Sequence, residues 1–329
     1  MAAESADATS PRPAGAAPGD QVLLICAIDH RASLERDLYE LKAPPTPVQA
    51  ARISADKLLV YQALLDAIPG LPASVQPGLL IDEKYGATAA ELAARSDGAV
   101  NLSMPIEASG EEWFVFEYGD DWKRHAEFFA TDHCKVLVRD NPGLDASDRD
   151  GQAERLAQVS AWAKEAGRPL ILELLIPATD SDLSALGGSS DRYDDEVRPG
   201  LTVESIRYLQ DHGVEPAIWK VEGLDHHDDA AEVVRTAERD GRTASCIVLG
   251  RHAPKDKLDH WLQVAAPIPG FTGFAIGRSI WWDALQAQLH DGSTPDETRR
   301  RITDSYVDFA NYYVKSRDGA PSGVSKGSR

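Results

Sequence analysis

Short runs of apolar, often β-branched residues alternate eight times with longer amphipathic stretches along the chain. Each apolar run predicts a β-strand, and the runs are Val22–Ile28, Gly78–Ile81, Ala99–Pro105, Lys135–Arg139, Leu170–Pro177, Ala217–Val221, Cys246–Gly250 and Gly273–Gly277. Apolar residues at three- and four-residue spacing predict helices between them, namely Pro47–Ile68, Asp148–Ala166, Val203–His212, Asp225–Arg239 and Lys255–Ala265. Because continuous apolar runs are typical of parallel strands that are buried on both faces, the pattern predicts a single (β/α)8 TIM barrel.

The alternative fold is a doubly wound open sheet. Such a sheet usually has fewer strands, and its dinucleotide-binding form carries G-x-G-x-x-G after the first strand. The first strand here is followed by Asp-His-Arg instead. We therefore expect one barrel domain over residues 20–318, with a disordered extension at 1–19 and a disordered tail at 319–329, because both ends are poor in apolar residues.

Composition and charge narrow the class of protein. The chain is 43% hydrophobic and carries a net charge of -19, which disfavours nucleic acid and anionic membranes as partners. No apolar run is long enough to span a bilayer, and no secretory signal is evident, so we expect a cytoplasmic protein. Three cysteines without paired spacing predict buried free thiols, and nine scattered histidines give no metal-binding spacing. We expect no metal or other cofactor; a homo-oligomer is compatible with the sequence.

Charged residues inside apolar strands are the strongest chemical signal. Lys220, Lys135 and Glu173 each lie within such a strand, although Lys and Glu are almost never fully buried without a partner. A buried neutral amine can attack a carbonyl, and a second ammonium nearby would favour that neutral form. Glu173 or Glu222 could then transfer protons. The alternative is a purely structural ion pair across the barrel, and Glu222 could be only a charge partner of Lys220.

Two further strands end in the same dipeptide, Gly250-Arg251 and Gly277-Arg278. Barrels often bind phosphate with the loops after strands 7 and 8 and an adjacent helix N-terminus. Glycine allows the backbone to approach the oxygens, and arginine supplies a planar fork that matches them. The pair predicts a site for a phosphorylated small molecule, with Arg278 favoured over Arg251.

The segments that contain these residues resemble the 2-deoxy-5-keto-gluconate 6-phosphate aldolase family of inositol catabolism. The similar segments are AIDHR, GLLIDEKYGATAA, KVLVRDNP, LELLIPAT, CIVLGR, PGFTGFAIGRSIWWDAL and the stretch from Arg198 that contains WKVE. More distantly, the chain is similar to the metal-independent tagatose-bisphosphate and sulfofructose-phosphate aldolases.

The resemblance implies a class I aldolase that releases dihydroxyacetone phosphate and malonate semialdehyde from a phosphorylated keto-sugar acid. By position in the matching motifs, Lys220 is the Schiff-base lysine, Glu173 the proton-transfer carboxylate and Lys135 a second active-site lysine. Asp29 likewise matches a substrate-contacting aspartate, and Arg278 the phosphate-binding arginine.

One departure from the tagatose-type enzymes leaves the substrate open. They tend to have a small-residue turn after strand 7, where this chain has Gly250, Arg251 and His252. The acid end of the substrate needs a cation, which Lys84, Arg31 or Arg251 could supply. The alternatives are a tagatose-like or sulfosugar phosphate aldolase, which differs in the aldehyde it releases, and a barrel that only binds a sugar phosphate.

Overall fold

The computed structural model describes residues 21–319. Eight parallel strands form a closed barrel in chain order: β1 Val22–Ile28, β2 Val75–Ile81, β3 Asn101–Pro105, β4 His133–Arg139, β5 Leu170–Leu175, β6 Ile218–Glu222, β7 Ser245–Leu249 and β8 Phe271–Ile276. The predicted TIM barrel is therefore confirmed. The predicted extension at 1–19, and the predicted tail at 319–329 except for Gly319, lie outside the described residues.

Helices surround the barrel and connect successive strands. They are α1 Ala32–Asp37, α2 Pro47–Ala67, α3 Glu83–Ala94, α4 Trp122–Phe128, α5 Ala146–Glu165, α6 Asp180–Ala185, α7 Ser190–Arg192, α8 Arg198–Asp211, α9 His227–Ala237, α10 Lys255–Ala265, α11 Arg278–His290 and α12 Pro295–Asp318. A π-helical turn, Tyr193–Val197, leads into α8. This helix begins five residues before the predicted Val203, because Pro199 fits a first helical turn, where no backbone donor is needed.

The barrel interior changes character along its axis. Its lower part is filled by a compact apolar cluster that includes Ile25, Ile171, Ile218 and Ile247. A larger apolar layer lies between the strands and the helices. Since side chains alternate between the two faces of a strand, the inward positions above the isoleucines fall at the carboxyl ends of the strands. The polar residues of the interior therefore meet at one end of the barrel.

Two sequence expectations concern the whole described chain. Cys26, Cys134 and Cys246 are free and buried within strands, as predicted. Within residues 21–319, no helix is both long enough and apolar enough to cross a membrane.

Barrel closure depends on a close backbone approach at Gly273, which pairs with Leu23 where β8 meets β1. A side chain at this position would overlap the carbonyl oxygen of Leu23. We predict that Gly273→Ala lowers the free energy of unfolding by on the order of 3 kcal/mol, because two backbones must separate. Urea unfolding measures the change. Gly200→Ala, where an added Cβ contacts nothing, is the matched control; equal stability of the two variants would contradict the prediction.

Candidate active site

A cavity of about 450 Å³ opens at the carboxyl ends of the barrel strands, a volume typical of small-molecule sites. Its walls contain nine of the residues singled out from the sequence, namely Asp29, Arg31, Lys135, Glu173, Lys220, Gly250, Arg251, Gly277 and Arg278. The fold thus brings together residues that are up to 249 positions apart in the chain, counted from Asp29 to Arg278.

The ammonium of Lys135 lies at the centre of a buried ionic cluster. Its Nζ is 2.8 Å from Asp29 Oδ2, 2.6 Å from Glu107 Oε1 and 3.0 Å from Glu173 Oε2. The lysine side chain is only 1% exposed. Burial alone would lower the pKa of Lys135, but the three carboxylates outweigh that effect and raise its pKa well above the usual value. Lys135 therefore remains charged at neutral pH.

Lys220 has a single carboxylate partner among the described residues. Its Nζ lies 2.9 Å from Glu173 Oε2, the same oxygen that contacts Lys135. This proximity arises from the sheet, because Glu173 on β5 and Lys220 on β6 are register partners. The two amines are thus bridged by one carboxylate oxygen, and only Lys220 is free of other ion pairs within residues 21–319.

The three carboxylates of the cluster do not titrate alike. Burial alone would raise the pKa of Asp29, but Lys135 and other nearby positive charges hold it well below its usual value. Burial opposes ionisation of Glu173 too, yet Lys135 and Lys220 together lower its pKa. For Glu107, burial prevails over the attraction of Lys135 and raises the pKa. The cluster therefore holds two ionised carboxylates beside one that protonates more readily.

A third buried lysine fixes the chain segment that carries Asp29. Lys57 on α2 donates from Nζ to the backbone carbonyl of Ile28, at 2.7 Å, and to that of His30, at 2.9 Å. It also forms an ion pair with Asp82. The carbonyls on both sides of Asp29 are thus held by one ammonium, which orients the Asp29 carboxylate toward Lys135.

The β8 side of the cavity combines a cation with backbone donors. Arg278 begins α11 directly after Gly277, and it makes no ion pair with any other described residue. Burial lowers the pKa of its guanidinium, which means that an anion beside it would be stabilising. An added Cβ at Gly277 would press against the carbonyl oxygen of Ala27, so glycine is required for this close packing. The arrangement is suited to an anionic group at a helix N-terminus.

Arg31 and Arg251 line the cavity with their charges already compensated. Arg31 contacts Glu117, at 3.0 Å, and Glu107, at 3.6 Å. Arg251 bonds to Asp194, at 2.9 Å, and its backbone adopts a positive φ of 54°. Neither guanidinium is therefore readily available to the acid end of a ligand.

Two residues expected at the site lie outside the cavity. Lys84 projects from the first turn of α3, where its Nζ bonds to Glu35 at 2.9 Å and lies over the ring of Tyr85. Glu222 is buried, accepts a hydrogen bond from the backbone N–H of Ile176 at 2.9 Å and pairs with Arg251. The position of Lys84 gives no support to its expected role, because its ammonium is held by Glu35 and does not line the cavity. Glu222 fits the charge-partner interpretation.

Four residues of the site were not anticipated: Glu107, Lys57, His30 and Arg139. Glu107 lies two residues after the end of β3. A charged residue so close to the carboxyl end of a barrel strand is the sequence signal that indicates a place in the site. Arg139 lies four residues after Lys135, hence on the same inward face of β4. His30 was visible beside Asp29 but not assigned a role. No sequence pattern indicates a role for Lys57, because the segment around it has the spacing of an ordinary amphipathic helix.

Within residues 21–319, no group of His, Cys, Asp or Glu is arranged to hold a metal ion. The space between Asp29, Glu107 and Glu173 contains the Lys135 ammonium instead.

The imidazole of His30 makes the site sensitive to acid. Burial lowers its pKa from 6.5 to about 4, with Asp29 opposing the shift and Arg278 adding to it. Below pH 6.5 the unfolded chain gains a proton at this position before the folded protein does, so stability falls as the pH drops from about 6.5 to 4. We predict that, as the pH falls from about 6.5 to 4, the free energy of unfolding of His30→Asn rises relative to that of the native protein. Urea unfolding at several pH values tests this; a constant difference would contradict it.

The fold is similar to those of two aldolases and of one further solved structure. A fructose-bisphosphate aldolase from Plasmodium falciparum, crystallised with TRAP and an inhibitor, has a TM-score of 0.61 at 13% identity, with 91% of each chain covered. A Schiff-base-forming fructose-1,6-bisphosphate aldolase has a TM-score of 0.55 at 14% identity, with coverage of 89% of this chain and 94% of the aldolase. A Corynebacterium glutamicum structural-genomics target has a TM-score of 0.53 at 18% identity, with 88% and 85% coverage.

At these identities the likeness shows a shared fold. No curated protein matches the chain by sequence. A family model does match, over residues 13–317, and its description reads "uncharacterized protein conserved in bacteria". The chain belongs to this family, DUF2090.

Proposed function

We propose that the protein is a class I aldolase in which Lys220 forms a Schiff base with a phosphorylated ketone. The observation that carries the proposal is the sharing of Glu173 Oε2 by two buried amines, of which only Lys220 has a single partner. The structural similarity to fructose-bisphosphate aldolases, one of them named as Schiff-base-forming, supports the same chemistry.

The nucleophile is Lys220 rather than Lys135 because their surroundings differ. Three carboxylates hold Lys135 as an ammonium, which has no lone pair to donate. Lys220 can pass a proton to Glu173 Oε2, 2.9 Å away, and attack a ketone in the cavity. Lys135 then acts as a fixed positive charge that keeps Glu173 in place and compensates developing negative charge.

The proposed reaction begins with imine formation and ends with imine hydrolysis. The Lys220 amine adds to the ketone. Glu173 returns the proton it took from Lys220 to the hydroxyl of this adduct, and that hydroxyl leaves as water to give an iminium ion. Glu173, now ionised again, accepts the proton of the hydroxyl on the far carbon of the scissile bond. That bond breaks, and its electron pair enters the iminium to form an enamine. The aldehyde leaves, Glu173 gives the proton it took from the hydroxyl to the enamine carbon, and water hydrolyses the resulting iminium to release the ketone and free Lys220.

The phosphate of the substrate is assigned to the β8 side. Arg278 is an uncompensated cation there, the backbone at Gly277 opens onto the cavity, and the N-terminus of α11 adds a favourable dipole. Gly250 lines the neighbouring end of β7.

Within this class we propose 2-deoxy-5-keto-gluconate 6-phosphate as the substrate, in inositol catabolism. Its ketone is adjacent to the phosphate-bearing carbon, so the phosphate at Arg278 and the ketone at Lys220 fit one molecule. Cleavage gives dihydroxyacetone phosphate and malonate semialdehyde. The tagatose-like alternative would release an aldehyde phosphate instead.

Reductive trapping tests the nucleophile. Incubation with dihydroxyacetone phosphate and sodium borohydride should convert the iminium into a stable secondary amine, and peptide mass spectrometry should locate the added mass on Lys220. Lys220→Met should form no adduct and show no turnover. Lys84→Met, a lysine outside the cavity, is the matched control and should trap normally. Absence of an adduct in the native protein, or an adduct located elsewhere, would refute the proposal.

The role of Glu173 predicts a separation of two measurements. Glu173→Gln retains the size of the side chain but cannot accept the substrate proton. We expect kcat for cleavage to fall by about 10²- to 10⁴-fold. The borohydride adduct with dihydroxyacetone phosphate should still form at Lys220, but more slowly, because Lys220 also loses Glu173 as its own proton acceptor. Cleavage at the native rate would show that another group removes the proton.

A further inference from the structure

The arginines around the cavity mouth fall into two groups. Three have carboxylate partners, in the pairs Arg31 with Glu117, Arg36 with Asp37, and Arg251 with Asp194 and Glu222. The other two, Arg139 and Arg278, line the same cavity and form no ion pair within residues 21–319. In a chain with a net charge of -19, two uncompensated arginines in one cavity indicate two places for anionic groups.

These two arginines lie on opposite sides of the barrel. Arg139 is the last residue of β4, and Arg278 follows β8, four strands away in a closed ring of eight. Lys220 projects into the same cavity from β6, between them around the ring. A ligand joined to Lys220 can therefore direct one end toward each arginine.

Arg139 belongs to the inward row of β4. Lys135, Leu137 and Arg139 are two residues apart and all line the cavity. The guanidinium of Arg139 donates from Nη1 to the backbone carbonyl of Glu111, at 2.9 Å. This bond anchors the guanidinium to the loop after β3 and uses one of its N–H donors. The remaining donors provide a planar fork for a carboxylate.

The two ends of the cavity differ in charge. Arg278 has a helix N-terminus beside it, which suits a dianionic phosphate. Glu111 and Glu112 line the cavity on the side of Arg139, and their negative charges oppose a second negative charge on a bound group. A singly charged carboxylate is therefore the better match at this end.

We infer that Arg139 binds the carboxylate of a keto-acid phosphate whose phosphate lies at Arg278. This inference rests on the proposed function. Arg139, rather than Arg31, Arg251 or Lys84, is then the cation that binds the acid end of the substrate. Arg139 takes no part in bond making; it determines specificity by distinguishing an acidic aldehyde from a neutral or a phosphorylated one.

The condensation direction tests this assignment, with dihydroxyacetone phosphate as the common donor. Malonate semialdehyde and propanal differ as acceptors only in a carboxylate or a methyl group at the far end. For Arg139→Gln we expect kcat/KM for malonate semialdehyde to fall by about 10- to 100-fold, the loss typical of a charge-assisted hydrogen bond. The kcat/KM for propanal and the KM for dihydroxyacetone phosphate should remain at native values.

Three further variants define the comparison. Arg139→Lys should have a kcat/KM for malonate semialdehyde between those of Arg139→Gln and the native protein, because lysine retains the positive charge but not the planar fork of arginine. Arg278→Gln should instead raise the KM for dihydroxyacetone phosphate with either acceptor. Arg95 directly follows the last residue of α3 and does not line the cavity. Arg95→Gln should therefore show native kcat/KM values for both acceptors.

The outcomes separate this inference from the proposed function. Failure of the native protein to trap dihydroxyacetone phosphate at Lys220 would refute both. Normal trapping, with an unchanged ratio of kcat/KM for the two acceptors in Arg139→Gln, would refute the role of Arg139 alone. A loss that affects glyceraldehyde 3-phosphate as acceptor but spares malonate semialdehyde would overturn the carboxylate assignment.

Discussion

The ionic contact between Lys135 and three buried carboxylates is the constraint on which the candidate site depends. An isolated ammonium at 1% exposure would be strongly destabilised by loss of water. Asp29, Glu107 and Glu173 remove that penalty, and they come from the residue directly after β1, the loop after β3, and β5. The contact therefore links three parts of the barrel at the end where the cavity opens. Loss of any one carboxylate would leave a buried charge without its balance.

The same contact explains how one buried lysine can differ from the other. Lys135 is surrounded by negative charge, whereas within the described part of the chain Lys220 pairs only with the oxygen of Glu173 that both lysines share. The cluster is close to electrically balanced, since Asp29, Glu107 and Glu173 face Lys135, Lys220 and Arg31. Among the described residues that line the cavity, positive charge without an ion-pair partner appears only farther out, at Arg139 and Arg278. Attraction for an anionic ligand is therefore concentrated at two places in a chain that is acidic as a whole.

Much of this arrangement follows from local sequence pattern. The alternation of apolar runs predicts the closed barrel, and the two-residue period of a strand explains why Lys135, Glu173 and Lys220 meet in its interior. Pairing between distant loops has no such pattern. Arg31 and Glu117 are 86 positions apart, and nothing in the sequence reveals that they neutralise each other. Lys57 was missed for a similar reason, since its contacts with the end of β1 depend on how α2 packs.

Exchange of the carbonyl oxygen of dihydroxyacetone phosphate with labelled water tests the central claim most directly. Formation and hydrolysis of an imine at Lys220 must replace the ketone oxygen with one from water, whereas simple binding leaves it in place. In water enriched in oxygen-18, the native protein should introduce label well above the spontaneous rate, and Lys220→Met should not. Labelling no faster than the spontaneous rate with the native protein, at a ligand concentration that saturates the cavity, would contradict Schiff-base chemistry.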